Sequence, residues 1–272
     1  MHPRLLTLPA FGLFGQSSFT LPTYGALLAM AFLAGLWVAS RQAKRAGLDA
    51  NRVTDMAVWV LIAGLIGAKL LLLAVDWRFY SQNPRELLSI LRSGGVFYGG
   101  LVGGILVAWW YVRRHALPGW TTADALAPGV ILGQAIGRLG CFAAGCCYGK
   151  PASVPWAVTF TDLEAHRTVG TPLDTPLHPS QLYESALCFL LFLGLLWLAD
   201  RKRFPGQVVL SYTVGYSVIR FVLELWRGDL DRGSFFGGAL STSQLIAIVL
   251  VVGAVALWPR LSRKGSPAPA AS

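Results

Sequence analysis

Charge is what this chain has least of. Only 13% of its 272 residues are Asp, Glu, Lys or Arg, while 54% are hydrophobic and ten are Trp. Soluble domains carry about 25% charged residues, so an ordinary water-soluble fold is excluded. Acids are scarcer than bases, 13 against 23, leaving a net charge of +10. Metal ligands are few as well: four His and four Cys. Cys141, Cys146 and Cys147 follow a C-x4-C-C spacing with no His alongside, which does not match the usual zinc patterns. A disulfide, a buried apolar role and a nucleophilic thiol near Arg138 all stay open for them. Neither an internal repeat nor paired interrupted helices are evident, which argues against a secondary transporter.

What the chain does have is long apolar runs. Seven recur, at about 22–40, 53–75, 95–112, 125–146, 183–199, 207–226 and 240–258. Each can cross a hydrocarbon core of roughly 30 Å as a helix, the fourth being the least hydrophobic. The expected fold is therefore an all-α integral membrane protein of about seven transmembrane helices, a single polytopic domain over 1–272. Pro9 and Gly12 break the short apolar stretch after Arg4, so no cleavable signal is expected and the segment before Leu21 reads as an interfacial lead-in. With the N-terminus outside, the inner connections collect twelve Lys and Arg and the outer ones eight. Acids divide four inside to seven outside, so the positive-inside rule favours N-out and C-in. The positive charge thus orients the protein in a bilayer and is not a nucleic-acid footprint.

Two outer excursions stand out, about 76–94 and 150–182. In the first, Asn83-Pro84-Arg85-Glu86 has the form of a helix start, with Leu87, Leu88 and Leu91 following. A short interfacial helix is expected there. In the second, Trp156, Val158 and Phe160 alternate with smaller residues and predict one short strand among five prolines. The tail over about 265–272, rich in Ala, Pro and Ser, is expected to be disordered.

Three basic residues fall inside spans: Lys69, Arg138 and Arg220. A guanidinium at hydrocarbon depth costs roughly 2.5 kcal/mol or more, so it persists where a polar cavity or counter-ion receives it. Arg220 has Glu224 four residues on, and the two can neutralise each other. Arg138 has no acid three or four residues away, so its counter-charge must come from another helix or a ligand. The topology places Tyr24, Lys69, Tyr98, Arg138, His178, Tyr216, Arg220 and Glu224 in the outer half, which points to one anion-binding cavity there. In a membrane the abundant anion is a lipid phosphate. Lys69 could instead snorkel, and Tyr24 could be an interface aromatic. Glycines of the third and fourth spans, Gly99, Gly100, Gly133, Gly137 and Gly149 among them, could serve helix packing or make room for a ligand.

Taken together, these motifs resemble the prolipoprotein diacylglyceryl transferase family over about Tyr24 to Gln244. The blocks that carry the likeness are Tyr24-Gly25, Gly94-Gly-Val-Phe-Tyr-Gly-Gly-Leu101, Gly137-Arg-Leu-Gly-Cys-Phe142 through Tyr148-Gly149, and His178-Pro-Ser-Gln-Leu-Tyr-Glu184, with Tyr216, Arg220, Glu224 and Arg227 beyond. The resemblance implies a bacterial inner-membrane enzyme that moves a diacylglyceryl group from phosphatidylglycerol to the lipobox cysteine of a prolipoprotein signal peptide, without cofactor or metal. Arg138 and Arg220 would hold the phosphate, with Tyr24, Tyr216, Glu224, Gln181, Gly99, Gly100 and Gly149 around the substrate. This chain departs from the family pattern at three places: Tyr98 stands where many members have histidine, Cys141 where they have asparagine, and Cys146 where they have glutamate. The proton acceptor for the thiol is then Tyr98 or His178. A tyrosine, with its reference pKa near 10, would need strong depression by neighbouring charge to act as base. A phospholipid-binding or transporting protein without chemistry, or a relative with an altered acceptor, is the alternative.

Overall fold

A computed structural model describes residues 4–9, 18–83, 86–87, 90, 95–228, 234–235 and 240–265. Helix dominates. The long helices are α1 (Thr23–Arg45), α2 (Ala50–Val75), α4 (Phe97–Arg114), α5 (Gly119–Ala144), α7 (Ser180–Ala199), α8 (Gln207–Leu223) and α9 (Thr242–Gly265); α3 (Trp77–Gln82) and α6 (Leu163–Val169) are short. Six are long and apolar enough to cross a membrane. The seventh expected span forms as α4 but is not among them. It is only 18 residues long, and Arg113 and Arg114 close it. Large apolar side chains such as Leu65, Trp109, Leu190 and Val252 point outward, as expected where the surrounding solvent is hydrocarbon.

Small strands sit at the helix ends. β1 (Arg4–Pro9) pairs antiparallel with β2 (Ser18–Pro22) in the lead-in. The single strand expected near Val158 is half of a pair: β3 (Val158–Thr159) lies against β4 (Pro176–Leu177). β5 (Ser234–Phe235) pairs with β6 (Leu240–Ser241) before α9. Between β3 and β4 the chain turns through α6, which the sequence reading missed. Asp162 caps it by accepting from the N–H groups of Glu164 and Ala165 at 2.8 and 2.9 Å, and Gly170 ends it at φ 70°. The interfacial helix expected after Asn83 lies largely outside the described residues. Asn83 itself closes α3, its N–H reaching the Phe79 carbonyl at 3.0 Å. The tail from 266 also lies outside them.

The chain divides into two compact units: residues 39–122, and residues up to Val38 with those from Ala123 onward. In the first, α2 and α4 pack backbone to backbone. A Cβ on Gly67 would stand 2.4 Å from the Gly99 carbonyl oxygen, and one on Gly103 2.7 Å from that of Ala63. Only glycine permits that approach. In the second, Ile131, Ala135, Cys188, Phe192, Leu195 and Val208 knit α5, α7 and α8 into an apolar core. Phe204, Leu210 and Ala254 join α8 to α9. The buried Asp124 carboxylate of α5 receives the N–H groups of Gly206 and Val209 at 2.9 and 3.0 Å and the Lys202 ammonium at 3.2 Å. One helix thereby caps the start of another.

Candidate functional site

Above that apolar core the same three helices turn polar. Gln134 and Arg138 stand four apart on α5 and so share a face. Glu184, in the second turn of α7, is 2% exposed, and its Oε1 lies 2.9 Å from Arg138 Nε. Gln134 Nε2 donates to Glu184 Oε1 at 3.2 Å and to the Tyr216 hydroxyl at 3.1 Å, while that hydroxyl donates to Glu184 Oε1 at 3.2 Å. The Arg138–Glu184 approach is a charge contact rather than an aligned hydrogen bond. Glu184 thus supplies the counter-charge that Arg138 lacks on its own helix. A buried ion pair persists only when well matched, because stranding either partner is costly.

Arg220 sits one turn beyond Tyr216 on α8. Its Nη2 is 2.6 Å from Glu224 Oε2 and donates to Ser243 Oγ of α9 at 3.0 Å. Each intramembrane arginine is therefore matched to a separate carboxylate.

Beyond the end of α5 the chain passes between the start of α7 and the end of α8. Gly149 donates to the His178 carbonyl at 3.0 Å, Lys150 to that of Trp226 at 2.8 Å, and Gly228 to that of Tyr148 at 3.2 Å. A Cβ on Gly149 would stand 2.5 Å from the His178 oxygen and 2.9 Å from that of Trp226. Glycine is required there for the passage of backbone. Ser180 Oγ donates to the Cys147 carbonyl at 2.9 Å, and buried Gln181 donates through Nε2 to that of Cys146 at 2.8 Å. Two backbone reversals, Gly145 at φ 79° and Cys147 at φ 62°, fold this turn tightly. They bring the Sγ atoms of Cys141, Cys146 and Cys147 within 4.8 Å of one another. Hydrogen bonds from Cys141 and Cys146, with the Arg227 guanidinium alongside, push the Cys147 thiol well below its ordinary range.

His178 is half-buried, its Nδ1 3.2 Å from the Tyr183 hydroxyl. That hydroxyl also accepts from the Trp156 indole at 2.6 Å.

The remaining expected residues fall elsewhere. Tyr24, 41% exposed, lays its ring beside Gly140, where an added Cβ would be 3.2 Å from Cδ2. Tyr98, Gly99 and Gly100 belong to the unit of residues 39–122. Tyr98 is 52% exposed, and Gly99 and Gly100 face Gly67 and Gly64 of α2. Lys69, in the same unit, donates to the Ile90 carbonyl at 2.7 Å. Three participants were given no role by the sequence: Glu184, which closes the His178–Glu184 block, Gln134 and Ser243. The first was detectable as the lone acid within an apolar helix, on the far side of a search for Arg138's partner. A Gln and a Ser carry no comparable cost in an apolar run and gave no sign.

Comparison with known proteins agrees with this architecture. Residues 12–260 match the family model described as prolipoprotein diacylglyceryl transferase. The phosphatidylglycerol–prolipoprotein diacylglyceryl transferase of Clostridium tetani is 36% identical over 242 residues, covering 89% of this chain and 92% of that protein. The like-named protein of Thermosynechococcus vestitus is 34% identical over 255 residues, 92% of each. That of Ruegeria pomeroyi is 33% identical over 297 aligned positions, covering 98% of this chain and 97% of the relative. Near-complete coverage by the family model and by these relatives places the chain in the prolipoprotein diacylglyceryl transferase family, as a multi-pass membrane transferase.

Proposed function

We propose that the protein transfers the diacylglyceryl group of phosphatidylglycerol to the lipobox cysteine of prolipoprotein signal peptides, at the outer face of a bacterial inner membrane. The N-terminus is then outside and the C-terminus in the cytoplasm. The acceptor thiolate attacks the glyceryl carbon that bears the phosphate ester. A C–S bond forms, the C–O bond breaks, and its electron pair leaves on the phosphate as glycerol phosphate. One observation carries this reading. Arg138 meets Glu184 through Nε, which leaves its two terminal nitrogens for the two-pronged grip that phosphate invites. Fixed by Glu184, such a guanidinium is preorganised for charge that grows on the leaving group and spends little on reorganisation. Arg220 is the second phosphate ligand in this scheme, and Tyr216 positions the headgroup.

The test is a reconstituted reaction. Purified protein, phosphatidylglycerol vesicles and a lipobox peptide should yield glycerol phosphate and a peptide heavier by one diacylglyceryl group. A peptide with serine in place of the cysteine should yield neither. Lipid binding without any release in the presence of the cysteine peptide would instead favour a binding or transport protein.

A further inference from the structure

The three thiols at the end of α5 have no part in the scheme above, yet their arrangement is specific. Cys141 leaves the last turn of the helix, and Cys146 and Cys147 return to it across the reversals at Gly145 and Cys147. All three are half-buried and free, with every sulfur within 4.8 Å of the others. Three thiolates about 2.3 Å from a common zinc ion stand about 3.8 Å apart, so the cluster lies within roughly 1 Å of a coordinating geometry. A non-glycine residue at positive φ, as at Cys147, is an uncommon backbone state that neighbouring structure must hold in place. Here Ser180 and Gln181 pin the carbonyls of Cys147 and Cys146. The Gln181 Oε1 atom, fully buried, has no hydrogen-bond partner among the described residues. Arg227, itself buried, places a guanidinium beside Cys147.

We propose that Cys141, Cys146 and Cys147 bind a thiophilic divalent cation, zinc in the first instance, with its fourth position open. Soft thiolate donors select such ions, and three protein ligands with one vacant position is the pattern of a reactive rather than a structural site. Binding releases to water the protons that the thiols still carry and leaves a complex of net charge −1 that Arg227 offsets. No fourth His, Cys, Asp or Glu joins the group among the described residues.

The vacant position has a natural occupant, and this part rests on the transferase reading. A thiol that binds zinc gives up its proton outright and stays nucleophilic. The acceptor cysteine would enter as a fourth thiolate, its proton going to solvent, and then attack the glyceryl carbon. Cys141 is three residues beyond Arg138, about 4.5 Å along the helix axis. The ion would thus lie near the arginine assigned to the departing phosphate. It also removes the need for His178 as base, whose Nδ1 is engaged by Tyr183.

The experiment uses the intact protein in lipid nanodiscs, reduced, stripped with chelator and titrated with Co(II) and with Zn(II). One equivalent of Co(II) should bind with sulfur-to-cobalt charge-transfer bands, and Zn(II) should displace it. Cys146→Ser and Cys147→Ser should each weaken binding at least 10-fold, while Cys188→Ala, in the apolar core, keeps the bands. Absence of stoichiometric binding, or equal binding in the Ser variants, overturns the site. A lipobox cysteine peptide should then shift the cobalt spectrum where its serine counterpart does not; an unchanged spectrum overturns the acceptor role. Chelation should lower transfer at least 10-fold and Zn(II) should restore it. A metal-replete protein with the expected spectra but no glycerol phosphate release would sink the transferase reading and leave the metal site standing.

Discussion

The α2–α4 pair and the α5–α7–α8 cluster solve the same problem, holding helices together in lipid, by opposite means. In the first, glycine removes side chains so that backbones touch: Gly67 meets Gly99 and Gly64 meets Gly100. The outward faces of α2 are left to the solvent. In the second, a buried carboxylate gathers a guanidinium, an amide and a phenol, each half-buried. Packing by glycine stabilises without chemistry to offer. A buried ion pair is weak as a stabiliser, because desolvation consumes most of its Coulomb gain. Its presence therefore points to use, and the contrast separates scaffold from site within one chain.

Substitutions can sharpen that contrast. Glu184→Ala removes the partner of Arg138 and should have the largest effect, about 3–5 kcal/mol of destabilisation by stranding a buried charge. Thermal unfolding in detergent would read it as a large fall in Tm, and a drop no greater than that of a surface variant would show the pair to be slack. Gly67→Ala acts on the other region. Its Cβ would need the Gly99 carbonyl to move, costing about 2–3 kcal/mol by forced separation of α2 and α4. Denaturation monitored by tryptophan fluorescence checks this, and unchanged stability would mean the helices slide apart freely. Asp124→Ala uncaps α8 and frees Lys202, for a loss of about 2 kcal/mol. Gly194→Ala, whose Cβ meets nothing within 4 Å, should change stability by no more than about 0.5 kcal/mol. If Gly194→Ala proved as damaging as Gly67→Ala, close backbone approach would not be what distinguishes these glycines.

Much of the scaffold was legible beforehand because lipid imposes long apolar runs. All seven expected spans form helices, although α4, only 18 residues long and closed by Arg113 and Arg114, is not among the six apolar enough to cross a membrane. α6 escaped notice because seven residues framed by Asp162 and Gly170 show too little periodicity to stand out between prolines. At the site, charge was readable and partnership was not. Arg138 announced itself by cost, whereas its match to Glu184 depends on how α5 and α7 rotate about their axes, and spacing within one helix does not reveal that. Gly99, Gly100 and Gly149 were expected around a ligand. Each lies against backbone, and a glycine in sequence does not reveal which carbonyl it faces.

Purified Arg138→Ala, given phosphatidylglycerol and the lipobox cysteine peptide, is the most direct trial of the account. It should insert normally and remain folded, yet release no glycerol phosphate above background. Release at the rate of the unmodified protein would contradict the role given to that guanidinium.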